Sequence, residues 1–170
     1  MLVLTALQER DAPVIHGWRA DPAVRDGTLG YPFPTSLEAT HEWIRSFEPR
    51  ATPTDVCFAA RLSADAPPVG YAQLRGIDWI ARCAEIGLAV GDSAQRGRGY
   101  GQAILAATID YASDVLALRR LWLRVAAKND AAISLYTSAG FEQEGTLRRH
   151  AFRGGELIDV LVFGRERPAP

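Results

Sequence analysis

The 170-residue chain carries 19 Lys and Arg against 20 Asp and Glu, a formal net charge of −1 with its histidines neutral. That balance speaks against a general nucleic-acid binder, which carries a basic stripe, so any positive patch must be local. Hydrophobic residues at 48% and charged residues at 23% describe a globular chain rather than a disordered one or a coiled coil, and a single domain of this length buries roughly two thirds of its unfolded surface.

The opening stretch MLVLTALQERD has no basic n-region and meets charge at Glu9, so it reads as neither a signal nor a transit peptide. Its LVLTALQ segment begins with apolar β-formers and predicts a first strand. Asp11 is placed to cap a helix with Pro13 in its first turn, where a missing amide does no harm; that helix carries Ile15 and Trp18. GYPFP, residues 30–34, is irregular, because each proline fixes its own φ and disfavours helix in the residue before it. Thr35 followed by Glu38 has capping-box spacing and opens a second helix through Trp43, Ile44 and Phe47, stopped at Pro49.

Three strand-like runs follow, DVCFAARL, VGYAQLRGI and CAEIGLAV, with SADAPP between the first two; they predict an antiparallel meander. Cys57 and Cys83 lie within these apolar runs and read as lone buried thiols rather than a disulfide. After a loop containing Gly97, Gly99 and Gly101, the residues Tyr100, Ile104, Ala107 and Tyr111 recur at helical intervals, and RLWLRVA is the next strand. Asn129 caps the helix DAAISLYTSA and Gly140 ends it. FEQEGTLRRHAFR and ELIDVLVFG flank Gly154-Gly155, a dipeptide suited to a two-residue hairpin turn. The order predicts a single-domain α/β fold: one mixed, mostly antiparallel sheet flanked by helices, with a parallel crossover from Val90 to Val125. No apolar run approaches the roughly 20 residues of a membrane helix, and the expected location is cytoplasmic.

Three glycines at alternate positions let the backbone approach a ligand closely, because no Cβ intervenes. A helix starting just after them, near Arg98, aims free N–H groups and the positive end of its dipole at whatever the loop encloses. Phosphate is the natural guest. A dinucleotide fingerprint would need glycine where Gln102 stands, and a P-loop would need a Gly-Lys-Ser/Thr that is absent. The spelling that is present, Arg96-x-x-Gly99-x-Gly101, resembles the pyrophosphate-binding signature of the GNAT superfamily of N-acetyltransferases. Downstream, Asn129, Ala132, Leu135, Tyr136, Gly140 and Phe141 are similar to that family's Asn-x-x-Ala-x-x-Leu-Tyr-x-x-x-Gly-Phe pattern. The motifs stand in family order and at family spacing, and the resemblance covers Ala84 to Phe163. EIGLAV and the closing hairpin look most similar to the branch that acetylates ribosomal-protein N-termini.

The resemblance implies acetyl-CoA as co-substrate, no metal, and direct attack by a primary amine, first of all the N-terminal α-amine of a protein or peptide. The alternatives are a small amine, such as a polyamine or aminoglycoside, and a non-catalytic CoA-binding sensor; intact Glu85, Asn129 and Tyr136 argue against the sensor. By the same resemblance the backbone of Gly87 to Val90, hence Leu88, Ala89 and Val90, pairs with the pantetheine arm. Arg96, Gly97, Arg98, Gly99, Tyr100, Gly101 and Gln102 surround the pyrophosphate. Asn129 contacts the cofactor arm as well as capping its helix.

An amine of lysine-like pKa near ~10.4 is protonated at neutral pH and must lose a proton before attack. Glu85, on the strand feeding the loop, is the candidate base, directly or through water; the plainer reading is a strand carboxylate paired with Arg75 or Arg124. Tyr136 is the candidate acid or hydrogen-bond donor to the leaving thiolate, against the plainer reading of a core tyrosine with a satisfied hydroxyl. Trp18 and Trp43 are expected in the core. Tyr31 and Phe33 sit on the proline-stiffened loop, where aromatics can form a lip for substrate. His41 and His150 read as surface or structural histidines, and a covalent route through Cys83 lacks a neighbouring histidine. An exposed edge of the last hairpin suggests a homodimer.

Overall fold

The computed structural model describes residues 2–27, 29–30, 33–47, 52–91 and 97–167. β1 (Val3–Ala6) is followed by α1 (Ala12–Ala20), α2 (Pro22–Gly27) and α3 (Leu37–Arg45). The meander β2 (Val56–Arg61), β3 (Pro68–Asp78) and β4 (Cys83–Val90) comes next, then α4 (Tyr100–Asp110), β5 (Arg120–Ala126), α5 (Asp130–Ser138) and the hairpin β6 (Glu142–Arg153) and β7 (Glu156–Glu166). One seven-stranded sheet has the order β1-β2-β3-β4-β5-β7-β6. Every neighbouring pair is antiparallel except β4 with β5, which α4 links as the expected parallel crossover. The hairpin turns at Gly154-Gly155, between the paired residues Arg153 and Glu156.

Strand alternation sorts the side chains onto two faces. On one, Phe58, Leu74, Ile86, Leu121, Leu123 and Val125 pack with Leu105 and Ile109 of α4 and with Tyr136 and Phe141. On the other, Ala89 and Tyr71 meet Ala12, Ile15, Trp18 and Ile44 from α1 and α3. Leu74, Ile86 and Leu123 are fully buried, each contributing about 1.5–3 kcal/mol by removal from water.

Local details differ from the sequence expectations for identifiable reasons. Asp11 stands at the start of α1, but its side chain does not cap that helix. Its Oδ2 accepts the Gln8 amide at 2.9 Å and Arg61 Nη2 at 2.5 Å instead, because a buried guanidinium from β2 is a stronger partner than a helix amide. The cap of α3 is Ser36, which accepts from the Ala39 amide, one residue after Thr35, and the helix ends at Arg45. On α4 the buried face is Ile104, Leu105, Thr108 and Ile109, whereas Tyr100, Ala107 and Tyr111 are half-buried. The last turn widens into a π-helix, Tyr111–Val115. Both cysteines are free thiols, Cys57 buried and Cys83 only half-buried.

Candidate active site

β4 and β5 pair only from Cys83–Glu85 to Arg120–Trp122. Beyond that point β4 stays with β3 as far as Val90, and β5 stays with β7 as far as Ala126, so the two central strands part. The first turn of α4 is wedged into the opening: a methyl placed on Gly101 would touch Leu135 of α5 at 3.5 Å and Val90 at 3.7 Å. Between the strands lies a slot of about 130 Å³ lined by Glu85, Gly87, Leu88 and Arg124 of the two strands and by Ala132 and Tyr136 of α5. No described strand pairs with the slot-side edge of β4 after Glu85, which leaves backbone donors and acceptors for an extended, amide-bearing arm. Leu88, Ala89 and Val90 lie along that edge.

Glu85 faces Arg75, its directly paired residue on β3. Its Oε1 accepts Arg124 Nε at 3.0 Å and lies 3.2 Å from Arg75 Nη2, and its Oε2 accepts Arg124 Nη2 at 3.3 Å. Both ion pairs anticipated as the plainer reading are therefore present, and the carboxylate is buried at the inner end of the slot. Each oxygen already holds an N–H.

Tyr136 enters the slot from α5, its ring edge-on to Phe141. Burial pushes its hydroxyl from the ordinary value of 10.0 up to about 12, against a smaller downward pull from Arg75. It therefore keeps its proton at neutral pH and donates rather than accepts charge. Asn129 Oδ1 accepts the Ala132 amide at 3.1 Å, so its side chain caps α5 as expected.

Gly97 and Gly99 adopt φ of +74° and +79°, a left-handed conformation that side chains rarely tolerate. The first helical bond of α4 runs from the Ala103 amide to the Gly99 carbonyl, so the amides of Tyr100, Gly101 and Gln102 have no partner within the helix. Arg98 is exposed beside them. Amides in that arrangement at a helix N-terminus suit phosphate oxygens. The slot edge and this helix start thus fit the two ends of a pantetheine pyrophosphate. Arg96 falls outside the described residues. At the end of β4, Gly91 admits the Trp18 ring, whose nearest atom would lie 1.9 Å from any added Cβ. That contact ties α1 to the strand leading into the loop.

A second cavity, of about 470 Å³, lies beneath the N-terminal helices and shares Gly30, Tyr71, Gln73 and Arg75 with the slot. Phe33 lines it and is 61% exposed, a placement that suits a lip; Tyr31 is outside the described residues. Trp43 is half-buried rather than core, its ring edge-on to Tyr71 and Phe47 across the cavity wall. Arg153, at the hairpin tip, donates to the Gly30 carbonyl at 2.7 Å, so the last hairpin supports the loop that carries the lip. The sequence reading missed Tyr71 and Gln73 and saw Arg75 only as a salt-bridge partner. The available signal was their i, i+2, i+4 spacing on a central strand, a polar stripe opposite Ala72 and Leu74 where alternation calls for a buried apolar face.

Comparison with known proteins agrees with this geometry. The sequence profile described as acetyltransferase (GNAT) domain matches residues 1–142. Spermidine N(1)-acetyltransferase of Vibrio cholerae is 33% identical over 92 residues, 54% of this chain and 53% of that protein, so the match spans about half of the relative. L-amino acid N-acetyltransferase AaaT of Escherichia coli is 28% identical over 164 residues, 96% of this chain and 97% of that protein. N-alpha-acetyltransferase RimI of Mycobacterium tuberculosis is 36% identical over 79 residues, 46% of each chain. A solved spermidine N-acetyltransferase from Vibrio cholerae, in complex with CoA and spermine, superposes with a TM-score of 0.87 at 25% identity over 97% of this chain and 95% of that one.

Proposed function

Because the chain belongs to the GNAT acetyltransferase family, we propose that it transfers the acetyl group of acetyl-CoA to the primary amine of a small molecule. The observation that carries this is the slot between β4 and β5, which shares the wall of Tyr71, Gln73 and Arg75 with a 470 Å³ cavity. The amine enters from the cavity and the acetyl donor from the slot, so the two meet near Glu85.

Bound acetyl-CoA supplies an activated thioester. The chain supplies the positions and the protons. Backbone groups of Leu88, Ala89 and Val90 hold the pantetheine arm, and the amides from Gly97 to Gln102, with Arg98 and Arg96, hold the pyrophosphate. Asn129 fixes the start of α5 and steadies the arm beside it. Glu85 takes the amine proton through a water, since both of its oxygens are occupied by arginine N–H groups. Tyr136 donates a hydrogen bond to the departing sulfur and stays protonated while doing so.

A small acceptor is supported by the spermidine and amino-acid acetyltransferase relatives, the latter aligned along nearly the whole chain. The N-terminal α-amine of a protein, the first expectation from sequence, retains the RimI match in its favour. A cytoplasmic location and a homodimer through a sheet edge go with either reading. Release of free thiol from acetyl-CoA, followed with amino acids, polyamines, aminoglycosides and N-terminal peptides, separates them: turnover of peptides alone would overturn the small-amine reading. Glu85→Gln and Tyr136→Phe are expected to lower kcat while leaving CoA affinity intact. CoA binding with no turnover on any amine would establish a sensor.

A further inference from the structure

We infer that the acceptor cavity contains an anion-reading subsite built on Arg19, so that the amine acetylated here also bears a carboxylate, as an amino acid does, and is not a polyamine. The inference rests on the acetyl-transfer reading above and adds the charge of the acceptor to it.

The charged side chains lining the cavity are Arg19, Arg25, Arg75 and Asp55, three cations against one anion among the described residues. The lone carboxylate is turned to its own loop, where Asp55 Oδ1 accepts the Gly76 amide at 3.1 Å and Oδ2 accepts the Thr54 hydroxyl at 2.9 Å. Arg75 is engaged by Glu85. Arg19 differs from both. Its guanidinium carbon lies 4.9 Å from the Trp43 ring centroid, and its Nη1 is buried with no hydrogen-bond partner among the described residues. A buried guanidinium N–H without an acceptor is an exception in folded proteins, and here it belongs to a side chain that lines the cavity.

A polyamine would need carboxylates or open aromatic faces for its several ammonium groups. The one carboxylate among the described lining residues, Asp55, is held by its own loop, and the Trp43 face already carries Arg19. Arg19 lies over Trp43, and Tyr71, on whose hydroxyl Arg19 and Arg75 both act, stands edge-on to the same ring. A carboxylate reverses the balance, because guanidinium binds it through two parallel N–H bonds, a geometry that a lysine-like point charge does not reproduce. Tyr71 faces both the Arg19 end of the cavity and the slot. A carboxylate held at Arg19 therefore leaves the rest of the acceptor facing Tyr71 and Gln73, residues the cavity shares with the slot. The aromatic wall of Phe33, Trp43 and Phe47 suits an apolar side chain on the same molecule.

The test compares leucine and phenylalanine with isopentylamine and phenethylamine, their counterparts without the carboxylate, and with spermidine. All are assayed by thiol release with wild type, Arg19→Gln and Arg19→Lys. The expected result is at least tenfold higher kcat/KM for the amino acids. Arg19→Gln should remove most of that preference through acceptor KM, leaving kcat at saturation and the KM for acetyl-CoA unchanged, and Arg19→Lys should restore it only in part. Equal or better use of spermidine or of the carboxylate-free amines, or a preference that survives Arg19→Gln, overturns the inference. If no amine supports thiol release, the acetyl-transfer reading fails by itself. Calorimetry of leucine and phenylalanine with the CoA-loaded protein then decides the subsite: binding lost in Arg19→Gln sustains it, and no binding overturns it.

Discussion

Replacing Arg61 with methionine should be among the most damaging single changes outside the active site. Arg61 is 1% exposed and is held by three acceptors: Thr5 Oγ1 at 2.9 Å, the Ala66 carbonyl at 2.7 Å and Asp11 Oδ2 at 2.5 Å. Methionine keeps much of the aliphatic volume but leaves the Asp11 carboxylate, itself 2% exposed, with the Gln8 amide as its remaining hydrogen-bond donor. Removing one member of a buried ion pair costs about 3–5 kcal/mol, chiefly by stranding the other charge. Domains of ordinary stability hold about 5–15 kcal/mol in total, so a fifth or more would be lost. Urea unfolding followed by circular dichroism measures it. With a slope of about 2 kcal/mol/M, the midpoint should fall by roughly 1.5–2.5 M at unchanged slope. The double variant Asp11→Ala/Arg61→Met should lose clearly less than the sum of the two single changes, because no charge is left stranded. A loss below about 1 kcal/mol for Arg61→Met, or strict additivity in the cycle, would refute this account of how α1 is fastened to the sheet.

Gly91→Ala sets a methyl against the Trp18 ring at 1.9–2.3 Å; overpacking of this kind costs about 1–3 kcal/mol, and the same change made together with Trp18→Leu should cost less, as thermal or urea melts will show. Phe33→Ala should raise acceptor KM several-fold with the KM for acetyl-CoA unchanged; at an exposed site its effect on stability should stay within about 0.5 kcal/mol, and an unaltered acceptor KM would remove Phe33 from the substrate lip. The Tyr136 hydroxyl is raised on folding from 10.0 to about 12, so the folded state holds this proton more tightly. Its contribution is whole below pH 10 and is lost as pH rises toward 12, by roughly 2–3 kcal/mol. Tyr136→Phe should therefore show a shallower alkaline loss of stability than wild type in urea melts between pH 9 and 11.5, and identical slopes would count against burial as the cause.

Much of the fold was legible because local and periodic signals carried it. Asn129 and Gly140 delimit α5, Gly154-Gly155 closes the last hairpin, and the β2–β3–β4 meander follows from three apolar runs and their punctuation. Caps that depend on competition were less legible: Thr35 and Ser36 are adjacent and chemically alike, and Asp11 was diverted from its helix by a guanidinium 50 residues away in sequence. On the candidate site, the sequence pointed to Glu85, Tyr136 and the Phe33 lip but not to Arg19, Tyr71 or Gln73 in the cavity wall. Trp43 reads as core because large aromatics usually are, and no motif or spacing singles out Arg19.

By itself, the sequence determined the element order, the glycine loop feeding a helix start, and the family motifs on Arg96 to Gly101 and Asn129 to Phe141, because each depends on backbone conformation and spacing within a few turns of chain. Only the tertiary structure decided what lies across the sheet: that β4 and β5 part after Glu85, that Glu85 is clamped by Arg75 and Arg124, and that Arg19 leans on Trp43 with a buried, unmet N–H. Those contacts join residues far apart in the chain. Whether an arginine meets water, a carboxylate or an aromatic face depends on which strands and helices come together around it, and one-dimensional spacing does not encode that.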